Sequence, residues 1–237
     1  MFHGKMKALT FSYDDGCTQD QRLIEILDRY GLKATFNLNS NRFGLAEALI
    51  RKDKTVAFCK PRRQEIAAIY QNHEIAVHTL DHPNLTRVES DDEVIRQVAE
   101  DAKSLSELAG YPVIGMAYPC GPFNDRVVNL IDQHTNIAYA RTTVCNGSFD
   151  VQEDLLRFQP TVYHCEWDQM FDLAHKFLEL KADRPQIFYI WGHSFEFDVD
   201  GTWDRMEEFC RLVSGREDIY YGCNTEILLA AKGWRKD

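Results

Sequence analysis

Short runs of apolar and β-branched residues alternate with longer helical patterns along nearly the whole of this 237-residue chain. The predicted strands are Met6–Tyr13, Lys33–Asn37, Glu74–His78, Val113–Tyr118, Ile137–Arg141, Arg157–Tyr163, Gln186–Trp191 and Ile219–Tyr221. The predicted helices are Gln19–Tyr30, Arg62–Asn72, Ser90–Ala109, Asn124–His134, Trp167–Lys181, Thr202–Val213 and Thr225–Lys232. Alternation of this kind is typical of βαβ units with parallel strands. Seven or eight such units without a linker favour an α/β fold of the distorted (β/α) barrel type.

The same pattern predicts one domain over residues 1–237, because an α/β barrel of this length commonly folds as a single unit. One stretch, residues 40–61, is irregular. It is either a lid over a functional site or an insertion far from it, and the sequence leaves both interpretations open.

Charge and composition exclude several partners. The formal net charge of -10 leaves no basic stripe for a phosphate backbone, so no nucleic acid is expected. No apolar stretch reaches the length of a membrane span or a signal peptide, so we expect a cytoplasmic protein that does not enter the membrane. Seven cysteines without CxxC pairs indicate reduced thiols. The oligomeric state is not predicted.

Polar residues with chemical potential follow the predicted strands, each at the point where a strand ends. They are the pair Asp14 and Asp15, the segment from His78 to His82, the turn from Tyr118 to Gly121, and His193. Because the carboxyl ends of the strands in a β/α barrel converge on one face, we expect these groups to share a site.

Two histidines four residues apart, His78 and His82, can reach one point from a loop that follows a strand. Together with one carboxylate of the Asp14 and Asp15 pair, they make a ligand set for Zn²⁺ or a similar ion, with positions left for water and substrate. Taken alone, the Asp-Asp-Gly segment also fits an ordinary turn. The paired histidines at ligand spacing favour the metal site.

The chain resembles the polysaccharide deacetylase (carbohydrate esterase 4, NodB-like) family in four motifs that occur in the family's order. They are Asp14-Asp15-Gly16 after Thr10-Phe11, the pair His78 and His82, Pro119-Cys120-Gly121, and His193-Ser194. The resemblance implies hydrolysis of an acetyl group on a sugar. It implies that Asp15, His78 and His82 bind one divalent metal ion, Zn foremost, with Co, Ni, Fe or Mn as alternatives. It also implies that Asp14 is the general base and His193 the general acid.

The same resemblance assigns the oxyanion and the substrate to a further group of residues. These are Tyr118, Pro119, Cys120, Gly121 and Trp191. A backbone N–H in the turn at Pro119 would be a second donor to the oxyanion, which a cysteine in the place of the usual aromatic residue leaves intact.

Three departures from the family pattern concern the substrate and the catalytic pair. Ala117 stands where relatives often carry an arginine that orients the base, so either another group orients Asp14 or Asp14 is less constrained. Trp191 stands where a smaller apolar residue commonly lines the acetyl pocket. No aspartate-tryptophan motif is evident to tune the acid. The candidates to replace it are Glu196, Asp198 and Asp150, and Glu196 is favoured because it lies in the same loop as His193.

The leading hypothesis is therefore a metal-dependent deacetylase of an N-acetylated sugar or short oligosaccharide. The alternatives are a hydrolase of another linear or cyclic amide on the same scaffold, and a metal-containing carbohydrate-binding protein without turnover. A dinucleotide-dependent oxidoreductase and a serine hydrolase are disfavoured, because the chain has neither GxGxxG after its first strand nor GxSxG.

Overall fold

In this computed structural model, which describes residues 1–232, a curled sheet of eight strands is covered by helices. The elements along the chain are β1 (Lys7–Asp14), α1 (Asp20–Arg29), β2 (Ala34–Leu38), β3 (Ala48–Arg51), β4 (Lys54–Ala57), α2 (Ile66–Ile69), β5 (Glu74–Val77), α3 (Asp91–Ala109), β6 (Gly115–Ala117), α4 (Asp125–His134), β7 (Tyr139–Arg141), β8 (Val162–Tyr163), α5 (Trp167–Glu179), β9 (Gln186–Gly192), α6 (Glu196–Asp200), α7 (Trp203–Val213), β10 (Ile219–Tyr221) and α8 (Asn224–Ala231). The strands of the sheet lie in the order β7-β6-β5-β2-β1-β9-β8, with β10 beside β1.

Strand β1 is the centre of the sheet. One of its edges pairs in parallel with β9 from Lys7 to Tyr13. The other edge is shared, because β10 pairs with its first residues and β2 with its last four. Every residue of β1 and of β9 is buried, as expected for parallel strands that are covered on both faces.

The predicted α/β fold with a parallel, barrel-like sheet is confirmed, and the structure shows a half-barrel. Between β7 and β8 the described residues form one isolated parallel bridge, from Arg141 to Phe158, and no continuous ladder. The strand predicted at Arg157–Tyr163 is correspondingly short. Only its last two residues are strand, since Pro160 has no backbone N–H to donate to a ladder.

Helix boundaries mostly follow the sequence signals. Helix α3 begins after Ser90, whose hydroxyl accepts a hydrogen bond from the Glu93 amide (3.2 Å), and ends at Gly110 with φ of 76°. The helix predicted at 62–72 is instead a 3₁₀ turn followed by the single turn α2, because the chain turns back where the His73 amide donates to the Tyr70 carbonyl. Among residues 1–232 no helix is long and apolar enough to cross a bilayer.

The irregular stretch 40–61 contains an antiparallel hairpin made of β3 and β4. Its two turn residues, Lys52 and Asp53, have φ of 51° and 59°, as a type I′ hairpin turn requires. All seven cysteines of the chain lie within the described residues and are free thiols in this structure.

Candidate metal and active site

Strained backbone marks the loops that follow β1, β5 and β6. Asp15, Thr79, His82 and Cys120 all have φ between 61° and 77°, a region that residues other than glycine rarely adopt. Each such residue costs about 1–3 kcal/mol and persists only where its surroundings fix it. Hydrogen bonds do so here: the Thr79 hydroxyl accepts from the His82 amide (3.1 Å). The Lys60 ammonium donates to the Asp15 carbonyl (2.6 Å).

The three predicted metal ligands converge in these loops. Asp15, His78 and His82 each offer one ligand atom, and the three atoms lie within 4.8 Å of one another. The Asp15 Oδ1 atom is 3.8 Å from His78 Nε2 and 3.4 Å from His82 Nε2. The structure therefore brings together one carboxylate and two imidazoles, which is the donor chemistry that suits Zn²⁺ and similar ions.

The protonation states of these groups fit a metal ion. The His78 Nδ1 atom lies 2.9 Å from the Ala117 carbonyl, which can only accept, so Nδ1 carries the proton and the lone pair of Nε2 faces Asp15. Burial lowers the pKa of His78 to about 4 and also lowers that of His82, so both rings are neutral at pH 7. Burial opposes ionisation of Asp15, but His193, Lys60 and the two histidines outweigh it and hold the pKa of this carboxyl at about 2.

Asp14, the predicted base, is held from two sides. Its side chain accepts hydrogen bonds from the Asn37 amide (2.8 Å) and from the guanidinium of Arg141, and only 2% of the residue is exposed. Burial alone would raise the pKa of Asp14. The Arg141 guanidinium, together with His78 and His193, outweighs burial and lowers that pKa below its ordinary value. Asp14 is therefore a carboxylate at neutral pH.

Arg141 is the functional residue that sequence reasoning missed. It ends β7, is fully buried, and pairs in register with Ala117 on β6, the position where relatives often carry the orienting arginine. Its guanidinium carbon lies 4.5 Å from the centre of the Trp191 ring. The signal was present in the sequence, because an arginine at the end of an otherwise apolar strand needs a buried partner.

His193 lies at the end of β9 and contacts the favoured tuning residue. Its Nδ1 is 3.1 Å from Glu196 Oε2, a carboxylate oxygen that also accepts from the Nε2 of buried His164 (2.9 Å). The other oxygen of Glu196 accepts from Tyr163 and from Arg51. Burial lowers the pKa of His193, but the hydrogen bond and charge of Glu196 outweigh burial and raise it, so the ring is held as a cation more strongly than a free histidine.

The other two candidates for tuning the acid, Asp198 and Asp150, form their side-chain hydrogen bonds with residues other than His193. Asp198 accepts hydrogen bonds from Gln19 (2.9 Å) and from the Trp203 indole (2.7 Å). Asp150 lies in an exposed loop, where it pairs with Arg184 (2.8 Å) and Gln186 (3.1 Å). A second group, His164 with Cys165 and Glu196, also gathers ligand atoms, but both oxygens of Glu196 already accept hydrogen bonds.

The predicted oxyanion turn is built from Tyr118 to Gly121. The Gly121 amide donates to the Tyr118 carbonyl (3.0 Å) and closes the turn, while Cys120 has φ of 61°. The Gly121 amide is thus occupied, and the Cys120 amide has no partner among the described residues. The Tyr118 hydroxyl donates away from the site to the Leu156 carbonyl (2.8 Å).

A pocket of about 310 Å³ collects these groups at the carboxyl ends of the strands. It is lined by Asp14, Asp15, Leu49, Arg51, Phe58, His78, His82, Tyr118, Cys120, Thr143, Trp191, His193 and Phe195. The structure thus brings together the predicted base, acid and ligands with Tyr118, Cys120 and Trp191. Pro119 and Gly121 shape the turn behind the wall and do not line the pocket.

The structure thus combines a half-barrel of parallel strands with an Asp-Asp pair, two histidines and a later histidine at the carboxyl ends of its strands. Residues 3–138, more than half of the chain, match the sequence profile of the polysaccharide deacetylase family. The chain belongs to that family. A comparison with curated protein sequences finds no match.

Solved structures share the fold. A Mycobacterium smegmatis protein, described provisionally as a polysaccharide deacetylase, has 15% identity and a TM-score of 0.67, over 96% of this chain and 91% of that one. A family 4 carbohydrate esterase from Streptomyces lividans, in complex with acetate, has 13% identity and a TM-score of 0.54, over 92% of both chains. A family 4 pseudoenzyme from Bacillus anthracis has 18% identity and a TM-score of 0.55, over 94% of this chain and 65% of its own.

The chain also spans only 55% of the length of a deacetylase from Streptococcus pyogenes. At these identities the likeness shows a common fold. Because an enzyme and a pseudoenzyme share that fold, activity must be argued from the site itself.

Proposed function

We propose that the protein is a metal-dependent deacetylase that hydrolyses the acetyl amide of an N-acetylated sugar. One observation carries the proposal: the carboxylate of Asp14, the His193 ring and a three-residue ligand set line the same pocket. A binding protein needs neither the base nor the acid, so this constellation favours turnover over binding alone.

The three ligands would hold a divalent ion, which when bound supplies Lewis acidity for the acetyl carbonyl and a lower pKa for a coordinated water. Asp14 accepts the proton of the attacking water. Its charge is secured by Arg141, which also prevents the carboxylate from rotating away from the pocket. Cys120 lines the pocket, and its amide, which has no partner among the described residues, is the candidate donor to the developing oxyanion.

His193 completes the reaction by protonating the leaving amine. Glu196 accepts from Nδ1, so the second ring nitrogen, Nε2, carries the transferable proton of the cation. The raised pKa of His193 favours the protonated ring, while the lowered pKa of Asp14 keeps that carboxyl ionised. One base and one acid with pKa values moved apart are the pair that amide hydrolysis requires.

The test combines metal analysis with acetate release. The purified protein should contain one equivalent of metal and release acetate from N-acetylglucosamine or its oligomers. A chelator should abolish release, and Zn²⁺ or Co²⁺ should restore it. Metal without acetate from any of these sugars would contradict the deacetylase and favour either another amide or binding alone. A protein that retains no metal would contradict the whole proposal.

Variants separate the roles of the residues. Asp15→Ala and His78→Ala should lose metal, whereas Asp14→Asn should keep metal and lose turnover by about 10²–10⁴-fold, the contribution of a general base. Asp150→Asn, far from the pocket, is the matched control and should behave as the unaltered protein. Equal metal content in Asp15→Ala, His78→Ala and Asp14→Asn would refute the ligand assignment.

A further inference from the structure

The hairpin of β3 and β4 is fastened to the helix that follows the acid histidine. Three basic side chains reach from it to α6 and to Glu196 at its start: Arg51 to Glu196 (3.2 Å), Lys52 to Asp200 (2.7 Å) and Lys54 to the Val199 carbonyl (2.6 Å). These three polar contacts place the hairpin beside the site.

An apolar contact and a further hydrogen bond support the same position of the hairpin. Leu49, Val56 and Phe58 pack on a small buried cluster of Cys17, Phe195 and Val199. The Ala57 carbonyl accepts from the Gln19 side chain (2.7 Å). The hairpin is thus docked through both side chains and backbone, as a wall of the pocket would be.

The two faces of β3 differ as strand alternation requires. Leu49 and Arg51 line the pocket, whereas Ile50 between them is 74% exposed. The inner face therefore meets whatever occupies the site, and the outer face meets solvent.

With the hairpin in place the catalytic groups lie in a bowl. Its rim comes from the hairpin, from the loop after β9, from the turn after β6, from the loop after β5 and from Thr143 after β7. Its volume of about 310 Å³ is at the lower end of the range for small-molecule sites, roughly 300–1,000 Å³. A cavity of this volume can take a sugar ring, and the hairpin borders it through Leu49 and Arg51.

We infer that the hairpin Ala48–Ala57 is the specificity element of the site and restricts it to a single N-acetylated ring, free or at the end of a short chain. This inference rests on the proposed function. It excludes the internal rings of a polymer, which require an open groove.

The first experiment compares N-acetylglucosamine with its pentamer and locates each lost acetyl group by mass spectrometry. The unaltered protein should deacetylate the free sugar or a terminal ring and leave internal rings intact. Deacetylation of internal rings at a kcat/KM equal to or above that of the free sugar would overturn the inference.

The second experiment removes the hairpin. Replacing Ala48–Ala57 by Asn-Gly keeps the hydrogen bond from the Phe58 amide to the Glu47 carbonyl, which closes a two-residue turn. This variant should gain activity on internal rings and raise the pentamer-to-monomer ratio of kcat/KM about tenfold. Leu49→Ala trims the same wall with the backbone intact and should move the ratio in the same direction. Ile50→Ala, on the outer face, is the matched control and should not change the pentamer-to-monomer ratio of kcat/KM. An unchanged ratio in both Leu49→Ala and the shortened protein refutes the role of the hairpin.

Calorimetric binding to metal-loaded Asp14→Asn protein separates this inference from the proposed function. If the protein binds the free sugar more tightly than the pentamer, and this preference is lost when the hairpin is shortened, the inference is supported. That result supports the inference even where the unaltered protein releases no acetate, and the absence of acetate then refutes only the deacetylase activity. An unchanged ratio of the affinities for the pentamer and the free sugar when the hairpin is shortened, or binding of neither sugar, overturns the inference.

Discussion

Replacing Arg141 by methionine tests the orientation of the base. The exchange keeps most of the side-chain volume and removes the charge opposite Asp14, in a pair whose side chains are 0% and 3% exposed. Removing one partner of a buried ion pair leaves the other charge uncompensated, which costs about 3–5 kcal/mol. Since small domains unfold with about 5–15 kcal/mol, the loss should be visible as a large fall in the urea midpoint.

The dependence of this loss on pH follows from the pKa of Asp14. In the unaltered protein that pKa lies below its unfolded value of 3.8, so the pair contributes stability above this pH and the contribution is lost as pH falls through the lowered pKa. Without Arg141, burial dominates and raises the pKa of Asp14. The penalty in Arg141→Met is then greatest at neutral pH and is relieved on acidification, as the carboxyl takes up a proton. The difference in unfolding free energy between the two proteins should therefore shrink between pH 7 and pH 4.

The assay is urea unfolding of metal-free protein, followed by circular dichroism and tryptophan fluorescence. Asp14→Asn, Arg141→Met and the double variant complete a double-mutant cycle. Because the two side chains share one interaction, the double variant should be more stable than the sum of the single losses predicts, by about 0.5–3 kcal/mol. Additive losses, or a difference that does not change with pH, would show that the two groups do not depend on each other.

Three further changes test other parts of the site. Glu196→Gln should lower the pKa of His193, so the loss of kcat/KM on the alkaline side should begin at lower pH than in the unaltered protein. Asp198→Asn is the control and should leave the pH profile unchanged. Equal pH profiles for the two variants would contradict the role of Glu196. Gly16→Ala places a Cβ 2.6 Å from the Leu38 Cδ2 atom at φ of 58° and should destabilise the folded protein by about 1–3 kcal/mol. Gly31→Ala should destabilise it less, because the added carbon meets nothing within 4 Å. Equal losses of stability would mean that crowding by Leu38 is unimportant. Zn²⁺ at about 100 times its Kd should raise the free energy of unfolding of the unaltered protein by about 2.7 kcal/mol, measured by chemical unfolding. It should not stabilise Asp15→Ala. Equal stabilisation of both proteins would place the ion elsewhere.

The candidate metal site and most of the fold were predictable because they depend on local patterns. Strand ends place Asp15 and His78 on one face of any parallel barrel, and a spacing of four residues lets His82 join them. These relations hold whatever the details of packing.

The residues that sequence reasoning missed act through contacts between distant segments. Arg141 meets Asp14 because β7 and β1 curve toward each other across the open sheet, and no local pattern encodes that curvature. The hairpin lies over the pocket because basic residues in a stretch of irregular sequence find acidic and carbonyl partners on α6. The choice between Glu196 and Asp150 likewise depended on how a long loop folds back.

The position of β1 in the sheet has a consequence for biosynthesis. This strand is made first, yet the strand that covers one of its edges, β9, begins about 180 residues later. At roughly 5–20 residues per second, ribosomal synthesis leaves that apolar edge without its partner for roughly 10–40 s. We expect nascent chains that stop before β9 to aggregate or to bind chaperones. The segment that matches the family, residues 3–138, therefore should not form a stable sheet when it is produced by itself.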